Sequence, residues 1–320
     1  MDPAWRARAD GLRDVAVTRW RNLDPLLPKR PEFRVETTMI PISDRHGKLT
    51  GLADVRETIR DAGSLDATWG PLEQLKVRAL VAPPEAPTAL DAILRELKQT
   101  AGHDERHFST DSCVTLTWPS RDDGCAPVLA AHGFHPYTVL AVRPKGRSTQ
   151  CESLTECDVS IRRAEQRDGQ RVADMWTELM TYDASFGSVV LRPRTAALLR
   201  EEIARVLETG SAWIWLAERG GEAVGFVKVS SLQASGWIES YVDAHRPVYL
   251  GSMGVVSKER GGGIGTMLAR AAHAHLDREG IGATLLHYAV ANPLAAPFWS
   301  RMGYRPLWTT WRAQPISNLT

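Results

Sequence analysis

The sequence predicts two mixed α/β domains of similar size, each a sheet flanked by helices. Three observations carry this prediction. The chain of 320 residues is long for one hydrophobic core and suits two domains of about 150 residues each. Short strand-like segments alternate with helical segments in both halves. A polar segment without helical or strand period, 144–158, lies near the midpoint, so the predicted domains are residues 1–147 and 158–320.

In the first half, the spacing of the apolar residues predicts three helices and five strands. Apolar residues three and four apart indicate helices, and short runs of apolar and β-branched residues indicate strands. The predicted helices are 12–23, 88–99 and 127–132. The predicted strands are 33–42, 48–55, 75–81, 114–118 and 137–143.

The second half repeats this order after an additional pair of helices. Its predicted helices are 166–181, 195–208, a long helix ending at 279, and 293–302. Its predicted strands are 159–163, 212–217, 223–230, 249–256, 283–290 and 304–312, and Gly220-Gly221 forms a hairpin turn. The segment His-Gly-Phe-His-Pro at 132–136 matches Met-Gly-Tyr-Arg-Pro at 302–306 in chemistry and position. This match indicates a duplicated fold.

The composition indicates a soluble intracellular protein. The net charge is +1 and 43% of the residues are apolar, so nothing favours a nucleic-acid or membrane partner. The first residues lack the apolar run of a secretory signal, and no stretch approaches ~18 uninterrupted apolar residues. The four cysteines, which form no Cys-x-x-Cys pair, are Cys113, Cys125, Cys151 and Cys157. Reduced thiols and a cytoplasmic location are therefore expected.

A glycine-rich loop at 260–266 follows the apolar strand 249–256 and precedes the long helix. Glycines let an anion approach the backbone closely, and the first N–H groups of a helix lack partners within the helix. Together with the helix dipole and Arg260, the loop therefore suits a pyrophosphate. It fits neither the dinucleotide-binding fingerprint nor the Walker A pattern.

The pattern Arg-x-x-Gly-x-Gly at 260–265 resembles the GNAT family of acyl-CoA-dependent N-acyltransferases. Val255 stands five residues before the arginine, as the family's valine does. A second motif follows about thirty residues later, comprising Asn292, Ala295, Phe298-Trp299 and Gly303-Tyr304. The resemblance covers about residues 158–312 and implies two GNAT-like domains, each with a mostly antiparallel sheet.

The resemblance implies that acetyl-CoA or another acyl-CoA is the co-substrate. The strand backbone at Val255 and Val256 would pair with the pantetheine amides, and Asn292 would contact the same arm. The loop amides would hold the pyrophosphate. The predicted cofactor-binding residues are Val255, Val256, Arg260, Gly261, Gly262, Gly263, Ile264, Gly265, Thr266, Asn292, Phe298 and Trp299.

Acyl transfer to an amine needs a route for the amine proton and a proton for the leaving thiolate. Family members often supply the second proton from a tyrosine on the short helix, where this chain has Trp299. An indole N–H is not a useful acid. Tyr288 on the preceding strand, or water, is the alternative acid, and a backbone N–H of the Val255 strand is the candidate oxyanion donor.

Four residues are candidates for the base: Glu239, Asp243, His245 and His287. Glu239, His287 and Tyr288 are the predicted catalytic residues. His287 and Tyr288 are neighbours on one strand, so they are expected on opposite faces of the sheet. The candidate acceptor-binding residues are Tyr182, Asp183 and Phe186, which follow the first helix of the second half. Each of these residues also has an ordinary structural interpretation.

No metal site is predicted. His273 and His275 lie two positions apart on a helix, so they face different sides, and a surface position is expected for both. In the first half, the loop at 82–88 carries three prolines, an acid at Glu85 and no glycine. Since proline offers no N–H to a phosphate, this half is predicted to be a degenerate, structural copy that does not bind CoA tightly.

The predicted function is acetyl transfer from acetyl-CoA to a primary amine of a small molecule. Direct attack within a ternary complex is expected, because no Ser-His-Asp or Cys-His arrangement suggests a covalent intermediate. Two alternatives stay open: a non-catalytic acyl-CoA-binding regulatory module, and a protein or peptide N-acetyltransferase. The sequence leaves open whether the protein is a monomer or a homodimer.

Overall fold

The computed structural model describes residues 3–29, 38–101, 105–147 and 158–319. Most of the predicted linker 144–158 lies outside these ranges, as do Cys151, Cys157 and the start of the predicted strand 33–42. The α-helices are α1 Pro3–Leu23, α2 Ala86–Ala101, α3 Ala126–Ala131, α4 Gly169–Ala184, α5 Thr195–Thr209, α6 Ile264–Arg278 and α7 Ala295–Arg301.

The strands alternate with these helices in the predicted order. They are β1 Thr38–Ser43, β2 Leu49–Ile59, β3 Glu73–Val81, β4 Ser112–Pro119, β5 His135–Pro144, β6 Ser160–Arg163, β7 Ala212–Arg219, β8 Glu222–Ser230, β9 Pro247–Val255, β10 Ala283–Ala289 and β11 Arg305–Ala313. Gly220 and Gly221 have φ of 58° and 82°, as the predicted hairpin turn requires. The largest difference is at α1, which begins at Pro3 rather than at residue 12 because Trp5 and Ala9 extend its apolar contacts.

All these strands form one sheet of eleven strands, in the order β1-β2-β3-β4-β11-β5-β10-β9-β8-β7-β6. Neighbours are antiparallel except for the pairs β3–β4 and β9–β10, which are parallel. Helices cover the sheet, which confirms the predicted fold class of a mixed, mostly antiparallel sheet flanked by helices.

The two halves exchange their last strands. β11, from the second half, lies between β4 and β5, and β5, from the first half, lies between β11 and β10. Each of these strands follows a short helix and a left-handed glycine, Gly133 with φ 79° and Gly303 with φ 89°. The repeated unit supports the duplication, and the exchange joins both halves into one continuous sheet. The boundary between residues 147 and 158 stays a prediction.

A hydrophobic core beneath the central strands ties the halves together. α1 packs Leu12, Ala16 and Trp20 against buried residues of β5, β10 and β11. The rings of Trp20 and Trp308 meet edge to face with centroids 5.2 Å apart. Separate cores lie under the outer strands of each half. The exchanged strands thus lie in the best-covered part of the sheet.

Gly282 is required where β9 and β10 begin to pair. Its N–H donates to the carbonyl of His245 at 2.9 Å. A Cβ atom at this position would overlap the same carbonyl oxygen, which belongs to the backbone and has no rotamer to escape into. We expect Gly282→Ala to lower the free energy of unfolding by about 1–3 kcal/mol, measured by urea denaturation.

The control for this substitution is Gly11→Ala in α1. Nothing lies within 4 Å of a Cβ atom added at Gly11, so this variant should be neutral or slightly stabilising. Unchanged stability of Gly282→Ala would show that the two strand starts can separate freely, and would contradict the tight packing described above.

Candidate functional site

The sheet splits between β9 and β10. These parallel strands pair at only three positions, from Ala283↔Pro247 to Leu285↔Tyr249. Beyond this point β10 continues along β5 as far as Ala289, whereas β9 continues along β8 as far as Val255. Within the described residues, no strand pairs with the second side of 250–255. The split therefore leaves an open strand edge at 250–255, where the carbonyl of Val255 accepts a hydrogen bond from a side chain rather than from a strand.

The glycine loop begins where this open edge ends. It spans 256–263 and contains a 3-10 turn at Ser257–Glu259. Gly261 and Gly263 have φ of 86° and 81°, a conformation that residues with a side chain rarely adopt. Gly263 directly precedes α6, so the first N–H groups of α6 point out of the helix end. With the helix dipole, they form a site suited to phosphate groups.

Arg260 fixes the loop to the end of β9. Its Nε donates to the carbonyl of Val255 at 3.0 Å, and its guanidinium lies 4.6 Å above the ring of Tyr182. The carboxylate of Glu178 lies 3.8 Å away and also accepts the N–H of Ser257 at 2.8 Å. Hydrogen bonds from Ser257 hold the pKa of Glu178 below its usual range. Arg260 is thus partly engaged by the protein, and the backbone amides are the main anion donors of the loop.

A cavity of about 1310 Å³ passes through the split and is lined by both halves of the chain. At one end lie the glycine loop, Asn292 and the aromatic residues of α7. At the other end lie polar side chains of β2, β3, β4 and β11. One cavity thus connects the glycine loop with the polar side chains of the outer strands.

His287, Tyr249 and Trp237 form a cluster on the cavity wall. His287 Nδ1 and Tyr249 Oη are joined by a hydrogen bond of 3.0 Å, and the Trp237 ring is parallel to the His287 ring at 6.4 Å. The side chain of His287 faces the cavity, but the surrounding protein lowers its pKa to about 4 by desolvation. Burial also raises the pKa of Tyr249 to about 12. The imidazole is therefore neutral at pH 7 and can accept a proton.

Asp183, near the end of α4, is the second titratable group of interest in the cavity. Burial raises the pKa of its carboxyl to about 6, and the charge of Arg260 opposes this shift. Tyr182 and Phe186 pack edge to face beside it at 5.0 Å. The structure thus brings the three predicted acceptor-side residues together at the end of α4.

Lys228 of β8 borders an adjoining cavity of about 390 Å³. Its ammonium lies 4.6 Å from the ring of Trp176 and 4.0 Å from Glu202, and burial lowers its pKa. Trp69 and Trp237 complete the aromatic wall of this cavity. Aromatic side chains therefore form much of the cavity wall on this side of β9.

The sequence model of the Acetyltransferase (GNAT) family matches residues 175–304. The chain contains a GNAT domain. The matched range holds the open edge of β9, the glycine loop, α6 and α7, so the predicted family resemblance is confirmed. A comparison with curated proteins finds no match.

Three solved structures are similar to this chain, and the first of them shares its fold. A GCN5-related N-acetyltransferase from Sphaerobacter thermophilus is 14% identical with a TM-score of 0.54, over 96% of this chain and 92% of its own. A tandem GNAT protein from the clavulanic acid biosynthesis pathway is 17% identical with a TM-score of 0.47, over 94% and 95% of the two chains. An aminoglycoside N-acetyltransferase in complex with CoA covers 49% of this chain and 93% of its own, with 14% identity and a TM-score of 0.39.

The predicted cofactor residues of the GNAT domain lie along the cavity. Val255 ends β9, and Val256 follows it with its N–H bonded to the carbonyl of Val224 at 2.9 Å. The loop residues lining the cavity are Arg260, Gly261, Gly263, Ile264, Gly265 and Thr266, and Asn292, Phe298 and Trp299 line it from the other side. Neither Gly262, which belongs to the same loop, nor the buried Val256 lines the cavity.

The structure does not bring Glu239 to the site. Glu239 is exposed on the 3-10 helix Gln233–Tyr241, and it does not line either cavity. From the same helix, Trp237 and Tyr241 face the cavity instead. The role of Glu239 as a base stays a prediction, and its exposed side chain lies outside both cavities.

The other two candidate bases of this segment have structural contacts. Asp243 forms ion pairs with Arg21 at 2.8 Å and Lys29 at 2.9 Å, which fasten α1 to the second half. His245 is exposed, and its carbonyl accepts the N–H of Gly282. Neither lines the cavity, so His287 is the candidate from the sequence that lies at the centre of the site.

Tyr288 and Trp299 lie on the side of α6 and α7. Both line the cavity, and Tyr288 packs against the core of the GNAT domain, where burial raises its pKa. Trp299 is 8% exposed and meets Phe298 and Tyr304 edge to face at 4.9 and 5.2 Å. The indole is thus a packing residue. His287 and Tyr288 face different neighbours, yet both reach the cavity because it passes through the split.

Sequence analysis missed Tyr249. It lies at the start of β9, 38 positions from the histidine that it contacts. Its only signal in the sequence is a phenol in an otherwise apolar strand. That signal does not distinguish a packing residue from a hydrogen-bonding partner, so the pair could be found only once β9 and β10 were placed side by side.

His273 was predicted to lie at the surface, and this prediction is wrong. His273 is 3% exposed, and its Nε2 is joined to Tyr304 Oη by a hydrogen bond of 3.0 Å. It belongs to the buried stripe of α6 with Ala269, Ala272 and Leu276. His275 packs edge to face on Trp213 and Trp215. Across the described ranges, no group of three or more His, Cys, Asp or Glu side chains could hold a metal ion, and no helix is long and apolar enough to cross a membrane.

Proposed function

We propose that the protein is an acyl-CoA-dependent N-acyltransferase that transfers an acetyl group to a primary amine of a small molecule. The observation that supports this most is the split between β9 and β10, which connects the glycine loop to His287 and Tyr249 within one cavity. In this proposal residues 158–320 are the catalytic unit. A cytoplasmic location stays a prediction.

The residues around the split fit an acyl-CoA. The open edge of β9 offers N–H and C=O groups to the amides of an extended pantetheine arm, as in the addition of a strand to a sheet. The amides of Gly261–Thr266 would hold the pyrophosphate, and the left-handed glycines keep side chains away from it. Asn292, at the end of β10, would contact the arm from the opposite side.

The reaction joins the amine nitrogen to the thioester carbonyl carbon and breaks the carbon–sulfur bond. The nitrogen loses a proton, and the leaving thiolate gains one. Neutral His287 accepts the amine proton, and its hydrogen bond to Tyr249 fixes the orientation of the ring. Tyr288 is the candidate donor to the thiolate, since it lines the cavity on the side of the GNAT domain core.

The first half is proposed to be a structural copy without its own acyl-CoA site. It keeps a split, because β3 and β4 pair only from Glu73↔Ser112 to Val77↔Leu116. However, the loop between β3 and α2 spans only 82–85, compared with 256–263 in the GNAT domain. A loop of this length, containing Pro83 and Pro84, has few N–H groups to surround a pyrophosphate.

Calorimetric titration with acetyl-CoA, followed by a thioester-turnover assay with a panel of amines, tests the proposal. We expect one site per chain and turnover that depends on a primary amine. Two sites would overturn the structural role of the first half. Binding without turnover of any small amine or peptide would favour a regulatory acyl-CoA-binding module, and turnover of peptides alone would favour a peptide acetyltransferase. The absence of binding would refute the proposed function.

A further inference from the structure

A row of basic side chains crosses the first half of the sheet. Arg56 of β2 pairs directly with Lys76 of β3, Lys76 with Thr115 of β4, and Thr115 with Arg312 of β11. Neighbouring strands lie roughly 4.8 Å apart, so these cations share one short line across the sheet. Arg60, directly after β2, adds a fourth cation. These four residues, Arg56, Arg60, Lys76 and Arg312, are called the basic face, and all line the large cavity.

The charges of the basic face are poorly compensated by the protein. Like charges placed directly opposite each other on neighbouring strands destabilise a sheet, as Arg56 and Lys76 are here. Two nearby acids are engaged elsewhere, since Asp111 pairs with Arg192 and Glu57 with Arg106, and the acids that line the cavity beside the basic face are Asp61 and Asp66. In the ranges that the structure describes, no ion pair involves any of the four cations. Such an arrangement is expected where an anion supplies the missing charge.

Unused hydrogen-bond donors point to the same conclusion. Nη1 of Arg60 and Nε of Arg312 are buried and have no hydrogen-bond partner among the described residues. A buried donor without a partner destabilises the folded protein, because it loses its hydrogen bond to water without gaining another. Burial, together with the charges of Arg60 and Arg56, lowers the pKa of Lys76, and Asp66 offsets this only in part. A bound carboxylate or phosphate would supply both acceptors and negative charge.

The basic face and His287 lie at two ends of the same cavity. Arg312 pairs with His135 of β5, and His287 pairs with Leu140 of the same strand. His135 and Leu140 are five positions apart, which corresponds to roughly 17 Å along a β-strand. The long side chains of the basic face reach part of the way towards His287. A ligand that reaches both ends is therefore extended, with its reactive group at one end and its anionic group at the other.

We propose that the basic face binds an acidic group, a carboxylate or a phosphate, of the amine acceptor. This inference rests on the proposed function, because it assigns the acceptor of the same cavity. The amine end lies at His287, and the acid lies among Arg56, Lys76 and Arg312. The first half of the chain thereby determines acceptor specificity.

The test is calorimetric titration of citrate and, separately, inorganic phosphate into the full-length protein. Three variants are compared: Arg56→Gln/Lys76→Gln, Gly261→Glu in the glycine loop, and Arg45→Gln/Lys48→Gln as a control pair in the β1–β2 turn. We expect anion binding to weaken at least about tenfold in the first variant, since the substitutions remove two charged hydrogen-bond donors. The other two should retain binding at the basic face. Tighter binding of citrate or of phosphate identifies which acid the face prefers.

Two further measurements separate the possible outcomes. Thermal unfolding of Arg56→Gln/Lys76→Gln should show equal or greater stability than wild type, since the substitutions remove like-charge repulsion. Acetyl-CoA affinity should not change in this variant. Anion binding that disappears in Gly261→Glu but survives in Arg56→Gln/Lys76→Gln would overturn the inference, as would the absence of any binding. Citrate binding is measured without acetyl-CoA. A protein that lacks acyltransferase activity could therefore still bind citrate at the basic face, and the two failures are distinguishable.

Discussion

Gly261→Glu is expected to weaken acetyl-CoA binding by roughly 100-fold or more. Gly261 is left-handed and lines the cavity at the start of α6. A carboxylate there would repel the pyrophosphate and displace it from amides whose hydrogen bonds to a charged group contribute about 1.5–3 kcal/mol each. Calorimetry with acetyl-CoA measures the loss directly. The acyl-transfer rate at limiting acetyl-CoA should fall by the same factor.

The matched control is Gly47→Glu in the turn between β1 and β2. Gly47 is also left-handed, with φ 77° compared with 86° at Gly261, and neither position has an atom within 4 Å of an added Cβ. Both variants therefore carry similar backbone strain and the same new charge. Equal acetyl-CoA affinity in the two would show that the loop does not hold the pyrophosphate.

His287→Gln is expected to lower kcat/KM for the amine by about 10²–10³-fold while acetyl-CoA affinity stays unchanged. The imidazole lies on the cavity wall, is neutral at pH 7 and is oriented by Tyr249. Glutamine keeps a polar side chain of similar length but cannot accept and release a proton at useful rates. Steady-state kinetics with calorimetry separates this catalytic loss from a binding defect.

The matched control for His287→Gln is Glu239→Gln. Glu239 is exposed and lies outside the cavity, so its conversion to the amide should leave kcat and KM unchanged. A large loss in Glu239→Gln with normal folding would restore that residue as the base. Tyr249→Phe should produce a smaller loss than His287→Gln, because it removes the orienting hydrogen bond but not the proton acceptor.

The pH dependence of the same reaction distinguishes His287 from Asp183. Since the pKa of His287 is lowered to about 4, the reactive neutral form is present above this value and is lost as the pH falls through it. Burial raises the pKa of Asp183 to about 6, so a carboxylate base would already lose activity near pH 6. An acidic limb near pH 6 that disappears in Asp183→Asn would assign the proton acceptor to Asp183 instead.

Local patterns in the sequence predicted the glycine loop at one end of the cavity. The glycines at 261–265 follow an apolar strand and precede a helix, and both features depend on residues close together in the chain. The same is true of Phe298-Trp299 and of the hairpin at Gly220-Gly221. Because backbone conformation and helix starts are set largely by neighbouring residues, these elements could be predicted without knowledge of the overall packing.

The acceptor end depended on contacts between distant segments. The sequence offered Glu239, Asp243, His245 and His287 as candidate bases, and it favoured Glu239 and His287. Glu239 is exposed on the 3-10 helix at Gln233–Tyr241, and Asp243 forms an ion pair with Arg21 of α1. Arg56, Lys76 and Arg312 are ordinary surface cations in the sequence, and only strand pairing places them in one row.

The order of helices and strands, the duplication and the glycine loop could be read from the sequence, since these follow from periodicity and local backbone preference. The tertiary structure alone decided that β5 and β11 are exchanged between the halves. Each strand follows a short helix and a left-handed glycine. By local criteria, either strand would therefore suit either position in the sheet. Their positions are set by the shared core beneath α1, where Trp20 packs on Trp308 of β11. The hydrophobic effect depends on the apolar area that is buried and not on the order of the strands along the chain. Burial of the shared core therefore brings both halves around one cavity.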